Sequence, residues 1–196
     1  MIKPYFETEL GKLYCGDCLK IMPELEPVDL VLTDPPYPDF NKEHGKNWKY
    51  TNLEIIKNIN AQQFVFYPAT RVFPYDHTSI HVWHKPNGQS NEHYEFIYER
   101  NGKKVHRVFR IPVINYKTLP EWTPHPTQKP LALINQLILL TKANMIYDPF
   151  LGSGTTAVSC EKLNRRWIGI EISEEYCEIA KQRIINETRQ LKLFKS

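Results

Sequence analysis

The sequence is short of every feature that marks secreted, membrane-spanning or repetitive chains. Its four cysteines, Cys15, Cys18, Cys160 and Cys177, are too few and too scattered to make a disulfide framework for 196 residues, and they read as reduced thiols. Cys15-Gly16-Asp17-Cys18 has half the spacing of a zinc or redox site. No second C-x-x-C or H-x3-H completes it, so no metal is expected. No apolar run reaches the length of a membrane span. The opening residues Met1 to Glu9 lack an apolar stretch followed by a small-residue cleavage site, which leads to the expectation of a cytoplasmic chain without a membrane partner. Internal repeats and low-complexity tracts are missing too. An excess of one charge is nearly absent: a net +3 suits a polyanion binder and an ordinary enzyme equally well.

What is present fits one domain over residues 1–196, because 41% hydrophobic residues in a chain of this length fill one core but not two. Short apolar stretches with β-branched or aromatic content at 12–15, 28–33, 63–67, 79–84, 94–99, 144–147 and 166–171 predict strands. Helical spacing follows Pro130, through Leu131, Ile134, Leu137 and Ile138, with Lys142 near the end. A last helix starts at Ser173 as N-cap, with Glu174 and Glu175 in its first turn and Tyr176, Ile179, Ala180 and Ile184 as its apolar stripe. Strands alternating with helices predict an α/β fold with a mainly parallel sheet covered on both faces. Residues 68–124 break that rhythm and are expected to supply the antiparallel edge and long loops. Two basic segments stand out. One lies within 38–50, with Lys42, His44, Lys46, Trp48 and Lys49, and the other within 101–110, with Lys103, Lys104, His106, Arg107 and Arg110. Either is a nucleic-acid contact or a solvated face.

Three motifs carry chemistry. In the first, the strand ending at Asp148 runs through Pro149, Phe150 and Leu151 into a turn, Gly152-Ser153-Gly154-Thr155, and then a helix. The glycines permit a tight turn and close ligand approach, and the next strand ends at Glu171, a carboxylate suited to ribose hydroxyls. A nicotinamide site is disfavoured, since Asp148 and Pro149 intervene before the glycines and most of the sheet must come from residues before this unit. In the second, an apolar strand ends in Asp34-Pro35-Pro36-Tyr37. Two prolines hold the tip extended, so that the Asp34 carboxylate and Pro35 carbonyl can share an amine while Tyr37 stacks on a base. In the third, His125-Pro126-Thr127-Gln128-Lys129-Pro130 opens a helix with hydroxyl, amide and amine donors suited to a carboxylate.

Together, in this order, the motifs resemble the DNA amino-methyltransferases of restriction-modification systems and bacteriophages, in the class whose Asp-Pro-Pro-Tyr precedes the cofactor motif. The resemblance spans Gly11 to about Arg189. It implies a Rossmann-like methyltransferase fold with a seven-stranded, mostly parallel sheet, one antiparallel strand near its edge and a circularly permuted motif order. S-adenosylmethionine is the implied cofactor and DNA the implied partner, held through basic loops 41–49 and 103–110. By position, Phe150, Gly152 and Gly154 line the methionine and ribose, with Asp148 and Ser153 in the same segment. Thr155 and Thr127 lie near the carboxylate, Glu171 holds the ribose, and Asp17 either faces the adenine or caps a helix. Asp34, Pro35, Pro36 and Tyr37 hold the target amine of a base flipped from the duplex, and the stretch His81 to Asn87 resembles the base-binding strand. Asp at the head of the tetrapeptide favours adenine N6 over cytosine N4, with RNA a smaller possibility. One departure stands out: only 100–122 remains for target recognition, and 67–79 is shorter than a strand-helix-strand. Specificity is therefore expected to be slight, or supplied by a second copy or an accessory protein. A non-catalytic nucleic-acid-binding subunit that keeps the fold is the alternative.

Overall fold

Seven apolar stretches become strands because β-branched and aromatic runs suit a pleated sheet: 30–33, 62–67, 145–148 and 166–171 are buried on both faces, while 11–15, 79–84 and 94–100 keep more exposed residues among the buried ones. The computed structural model describes residues 2–36, 53–86, 93–113 and 128–193. In chain order the elements are β1 (Phe6–Glu7), β2 (Gly11–Cys15), α1 (Cys18–Ile21), a 3-10 turn (Met22–Glu24), β3 (Leu30–Thr33), α2 (Glu54–Lys57) and β4 (Gln62–Tyr67). Then follow β5 (Ser79–His84), β6 (Tyr94–Arg100), β7 (Val108–Arg110), α3 (Leu131–Leu139), β8 (Met145–Asp148), α4 (Thr155–Lys162), β9 (Arg166–Glu171) and α5 (Glu174–Leu193).

The strands form one sheet in the order β1-β2-β9-β8-β3-β4-β6-β5-β7. Its seven central strands are the seven that the sequence predicts, and β6 runs antiparallel between β4 and β5. Two short strands extend this core: β1, antiparallel on β2, and β7, parallel on β5. The sheet therefore has nine strands and two reversals among the described residues, where seven and one were expected. Strands of two and three residues carry too little periodicity to be seen in a sequence; they form because a neighbouring edge offers them hydrogen bonds.

Alternation along the strands divides the core. Leu30, Leu32, Phe64 and Phe66 face Leu133, Ile134, Leu137 and Ile138 of α3, together with Ala157 of α4 and Ala180 and Ile184 of α5. Val31, Val65, Tyr147, Ile168 and Ile170 face the other way, toward Cys18 and Ile21 of α1 and Ile56 of α2. Helix α3 holds the whole apolar pattern from Leu131 to Ile138 but ends before Lys142: Pro130 is its N-cap, and beyond its end Thr141 donates its hydroxyl to the Ile138 carbonyl. Ser173 caps α5 as expected, accepting from the Tyr176 amide at 3.4 Å. Between β4 and β5 there is no helix. Residues 68–78 form a loop that lays Phe73 and Tyr75 over the sheet, with Phe73 stacked on Tyr98 at 4.2 Å between centroids. All four cysteines are free thiols, and among the described residues no cluster of His, Cys, Asp or Glu could hold a metal. No described helix is long and apolar enough to cross a membrane.

Candidate active site

Parallel strands end on the same edge of a sheet, and here β2, β9, β8, β3 and β4 all do. The chain leaves β3 toward β4 on one side and β8 toward β9 on the other, so the crevice between β3 and β8 is a topological switch point, where α/β sheets bind ligands. The tips bearing Asp34 and Gly152 are thus neighbours. The register Leu30 with Ile146 and Val31 with Tyr147 sets them side by side, and the Thr33 hydroxyl donates to the Asp148 carboxylate at 2.7 Å.

Asp148 is buried and fully engaged. One oxygen accepts from Thr33 and from the Phe150 amide at 3.1 Å, the other from the Thr156 hydroxyl at 2.7 Å. Burial pushes its carboxyl up to about 6, against the lowering effect of these three donors. Its contacts bind the two tips together and start the turn, a role within the protein rather than toward a ligand.

Glu171 organises the turn from β9. Its Oε2 accepts from the Gly152 amide and its Oε1 from the Ser173 amide, both at 2.8 Å, and burial raises its pKa. Gly154 has φ +87°, and a Cβ there would lie 2.8 Å from the Ala180 Cβ. The close approach this glycine permits is to helix α5, where ligand approach was expected. Ser153 and Thr155 are also turned inward: Arg183 on α5 donates through Nη1 to the Ser153 carbonyl at 2.6 Å and to the two hydroxyls at 3.0 and 3.2 Å. The Ser153 hydroxyl donates to Gln128 at 3.2 Å, tying the third motif to the first. Nothing in the sequence singles out Arg183 from the other charges of its helix.

At the tip of β2, Asp17 caps α1 by accepting from the Leu19 amide at 3.0 Å, one of the two roles open to it. Phe150, half-buried, packs at the margin of the second core face. Pro35 is buried and Pro36 half-buried beside Asp34; Tyr37 and Thr127 lie outside the described residues. Asp34 forms an ion pair with Lys129 that the sequence did not foretell. Lys129 also meets Glu95 at 3.1 Å and sits 5.0 Å over the Phe66 ring, while Lys85 meets the other Glu95 oxygen at 3.3 Å. Burial works against the Lys129 ammonium, but Asp34 and Glu95 outweigh it and hold its pKa above the usual lysine value. The strand from His81 is anchored by Trp83, whose indole donates to the Ile111 carbonyl at 2.7 Å.

The basic segments divide. Residues 41–49 lie outside the described part of the chain. In 103–110 the expectation of one DNA-facing loop needs correction, because β6 carries the chain to the opposite edge of the sheet. There the Lys103 carbonyl accepts from the Ser79 hydroxyl at the start of β5. A strand of six residues at about 3.3 Å each puts Lys103 and Lys104 about 20 Å from the Asp34 edge, and His106 and Arg107, level with Ile80 and Val82, partway back along β5. Only Arg110, at the end of β7 opposite His84, returns to it.

Neighbouring strands lie about 4.8 Å apart, so the tips of β2, β9, β8 and β3 span about 14 Å. In that order they present a carboxylate, a second carboxylate on a glycine turn, an aromatic ring and a third carboxylate: Asp17, Glu171, Phe150 and Asp34. This donor set fits a nucleoside joined to a cationic sulfur: acids for an amine and a ribose, and a ring for the cation.

A family model described as DNA methylase matches residues 46–182. Among characterised proteins, Type II methyltransferase M2.LlaDCHI of Lactococcus lactis subsp. cremoris is 29% identical, covering 94% of this chain and 93% of its own. Type II methyltransferase M2.DpnII of Streptococcus pneumoniae is 35% identical over 71% of this chain and 54% of its own. Of solved structures, the M1.HpyAVI complex with S-adenosylmethionine superposes with a TM-score of 0.65 at 26% identity, over 89% of this chain and 99% of that one. The cytosine-N4-specific PvuII DNA methyltransferase gives a TM-score of 0.69 at 17% identity over 96% and 95% of the two chains, a likeness of fold alone.

Proposed function

The chain belongs to the DNA methylase family, the S-adenosylmethionine-dependent amino-methyltransferases of adenine N6 and cytosine N4, and from that premise we propose that it methylates N6 of adenine in DNA. The observation that carries the reading is the order of the four strand tips, with Asp34 beside the aromatic end of the cofactor site. Asp34 at the head of Asp34-Pro35-Pro36-Tyr37 supports adenine, since the family resemblance associates serine at that position with cytosine.

When bound, S-adenosylmethionine supplies a methyl group on a cationic sulfur. Asp17 holds its adenine end, Glu171 the ribose and Phe150 the face toward the sulfur. Glu171 does so while anchored by two backbone amides, so its position is fixed before any ligand arrives. Asp34 and the Pro35 carbonyl accept the two hydrogens of the target amine, turning its lone pair out of conjugation with the base and toward the methyl. Asp34 orients rather than deprotonates, because the nitrogen becomes acidic only after it has gained the methyl; its proton then passes from the amine to Asp34 Oδ or solvent. Arg110 and residues 41–49 contact the phosphates, and a second copy or an accessory protein completes sequence recognition.

Incubation with tritiated S-adenosylmethionine and unmethylated DNA, followed by nucleoside separation, tests the reading. Label in N6-methyldeoxyadenosine is expected. Label in N4-methyldeoxycytidine overturns the base assignment, and unlabelled DNA in the presence of bound cofactor favours the non-catalytic subunit.

A further inference from the structure

Asp34, Lys129, Glu95 and Lys85 form an alternating chain of charges that runs from the tip of β3, through the residue before the α3 cap, to the starts and ends of β6 and β5. Each of the last three side chains is only 11 to 14% exposed. The reaction as written uses Asp34 and leaves the other three unexplained. An ammonium and an exocyclic amine are both nitrogen donors, and both seek the same carboxylate. In the base-free protein Lys129 already holds Asp34.

Resting on the assignment of Asp34 as the acceptor of the target amine, we infer that Lys129 and Glu95 are positioning residues that form a gate. Lys129 stands in for the amine on Asp34 and withdraws onto Glu95 when the base arrives. Glu95 makes the exchange feasible. A buried ammonium that lost Asp34 with no second carboxylate in reach would be stranded, whereas Glu95 Oε1 is already 3.1 Å away. Lys85, on the other Glu95 oxygen at 3.3 Å, fixes that carboxylate in place, and the Phe66 ring at 5.0 Å gives the ammonium a second resting surface. The four charges sum to zero before and after a neutral amine binds, so the exchange moves one hydrogen-bond partner and no net charge. Until a base enters, the clamp also holds the Asp34 carboxylate in one orientation.

The test uses the full chain with Glu95→Gln, Lys129→Met and the double variant. Single-turnover methyl transfer to DNA, cofactor affinity by calorimetry and thermal unfolding are measured for each. Glu95→Gln removes the parking place and should slow transfer by about tenfold or more with cofactor affinity unchanged. Adding Lys129→Met should then speed transfer above that of Glu95→Gln alone, because Asp34 no longer has a competitor. A double variant no faster than Glu95→Gln, or a Glu95→Gln protein that loses cofactor affinity in step with transfer, overturns the gate. If Lys129→Met fails to fold, Lys129→Arg replaces it: a guanidinium that grips both carboxylates should slow transfer, and an unchanged rate overturns the proposal. Wild-type protein inactive on DNA overturns the functional reading itself, whereas an active wild type with the variants out of this order overturns only the gate.

Discussion

Asp148 and Asp34 are consecutive tips of adjacent strands, yet their surroundings give them opposite tasks. Asp148 is enclosed by hydroxyls and an amide, and its carboxyl sits at about 6 against the usual 3.8, with burial as the largest cause. The folded value being the higher one, its contribution to stability is fully present below about pH 4 and is lost as the pH rises through 6. Asp148→Asn should therefore flatten the stability profile relative to wild type between those two values, as urea midpoints measured across the range will show. Asp34 is a quarter exposed and faces the crevice. Its removal in Asp34→Ala leaves Lys129 paired with Glu95, so the fold and cofactor affinity should survive while methyl transfer falls by about 100-fold or more, readable by single-turnover labelling. At this scale the sequence displayed Asp34 and Glu171, because one directly follows and the other ends an apolar strand, and Gly152, because a second glycine stands two residues on in the turn that leads into a helix. The Lys129 pairing was hidden: its partners are 95 and 34 residues away in the chain, and side-chain pairing at that separation leaves no local pattern.

Among the elements, the seven central strands were legible within one or two residues, β3, β4, β8 and β9 because two-sided burial demands unbroken apolar runs and β5 and β6 through their aromatic and β-branched content. The strands β1 and β7 were not, and residues 103–110 were read as one loop facing DNA because basic composition does not say which end of a sheet it occupies. The glycine turn before α4 was legible as a turn but not in its detail, since the crowding at Gly154 comes from α5, 26 residues later. Gly154→Ala should destabilise the protein by about 3 kcal/mol, from left-handed strain together with the clash on Ala180. In an Ala180→Gly background the same change should cost less, about 2 kcal/mol, since the contact with the Ala180 Cβ is gone while the left-handed strain and the 3.0 Å approach to the Cα of residue 180 remain. Urea unfolding of the four proteins in the cycle measures both.

For the molecule as a whole, Lys103 and Lys104 lie at the edge of the sheet opposite to the one that carries Asp34 and Glu171. Replacing Lys103 and Lys104 by alanine together should leave DNA affinity nearly unchanged. Arg110→Ala should weaken binding and lower the slope of log affinity against log salt by about one. Fluorescence anisotropy on a labelled duplex over a range of salt distinguishes the two.

The loop at 68–78 has a consequence for how the two halves of the sheet open. Among the described residues, helices α3, α4 and α5 and the single turn of α1 brace β2, β3, β8 and β9, whereas one face of β5 and β6 is covered by a plate of aromatic rings, with Tyr94 of β6 and Val108 of the neighbouring β7 exposed. Amide deuteration should accordingly reach β5 and β6 well before β8 and β9. The half that must admit a bulky, variably presented nucleotide is the yielding one, and the half that must keep a sulfonium in register is the stiff one.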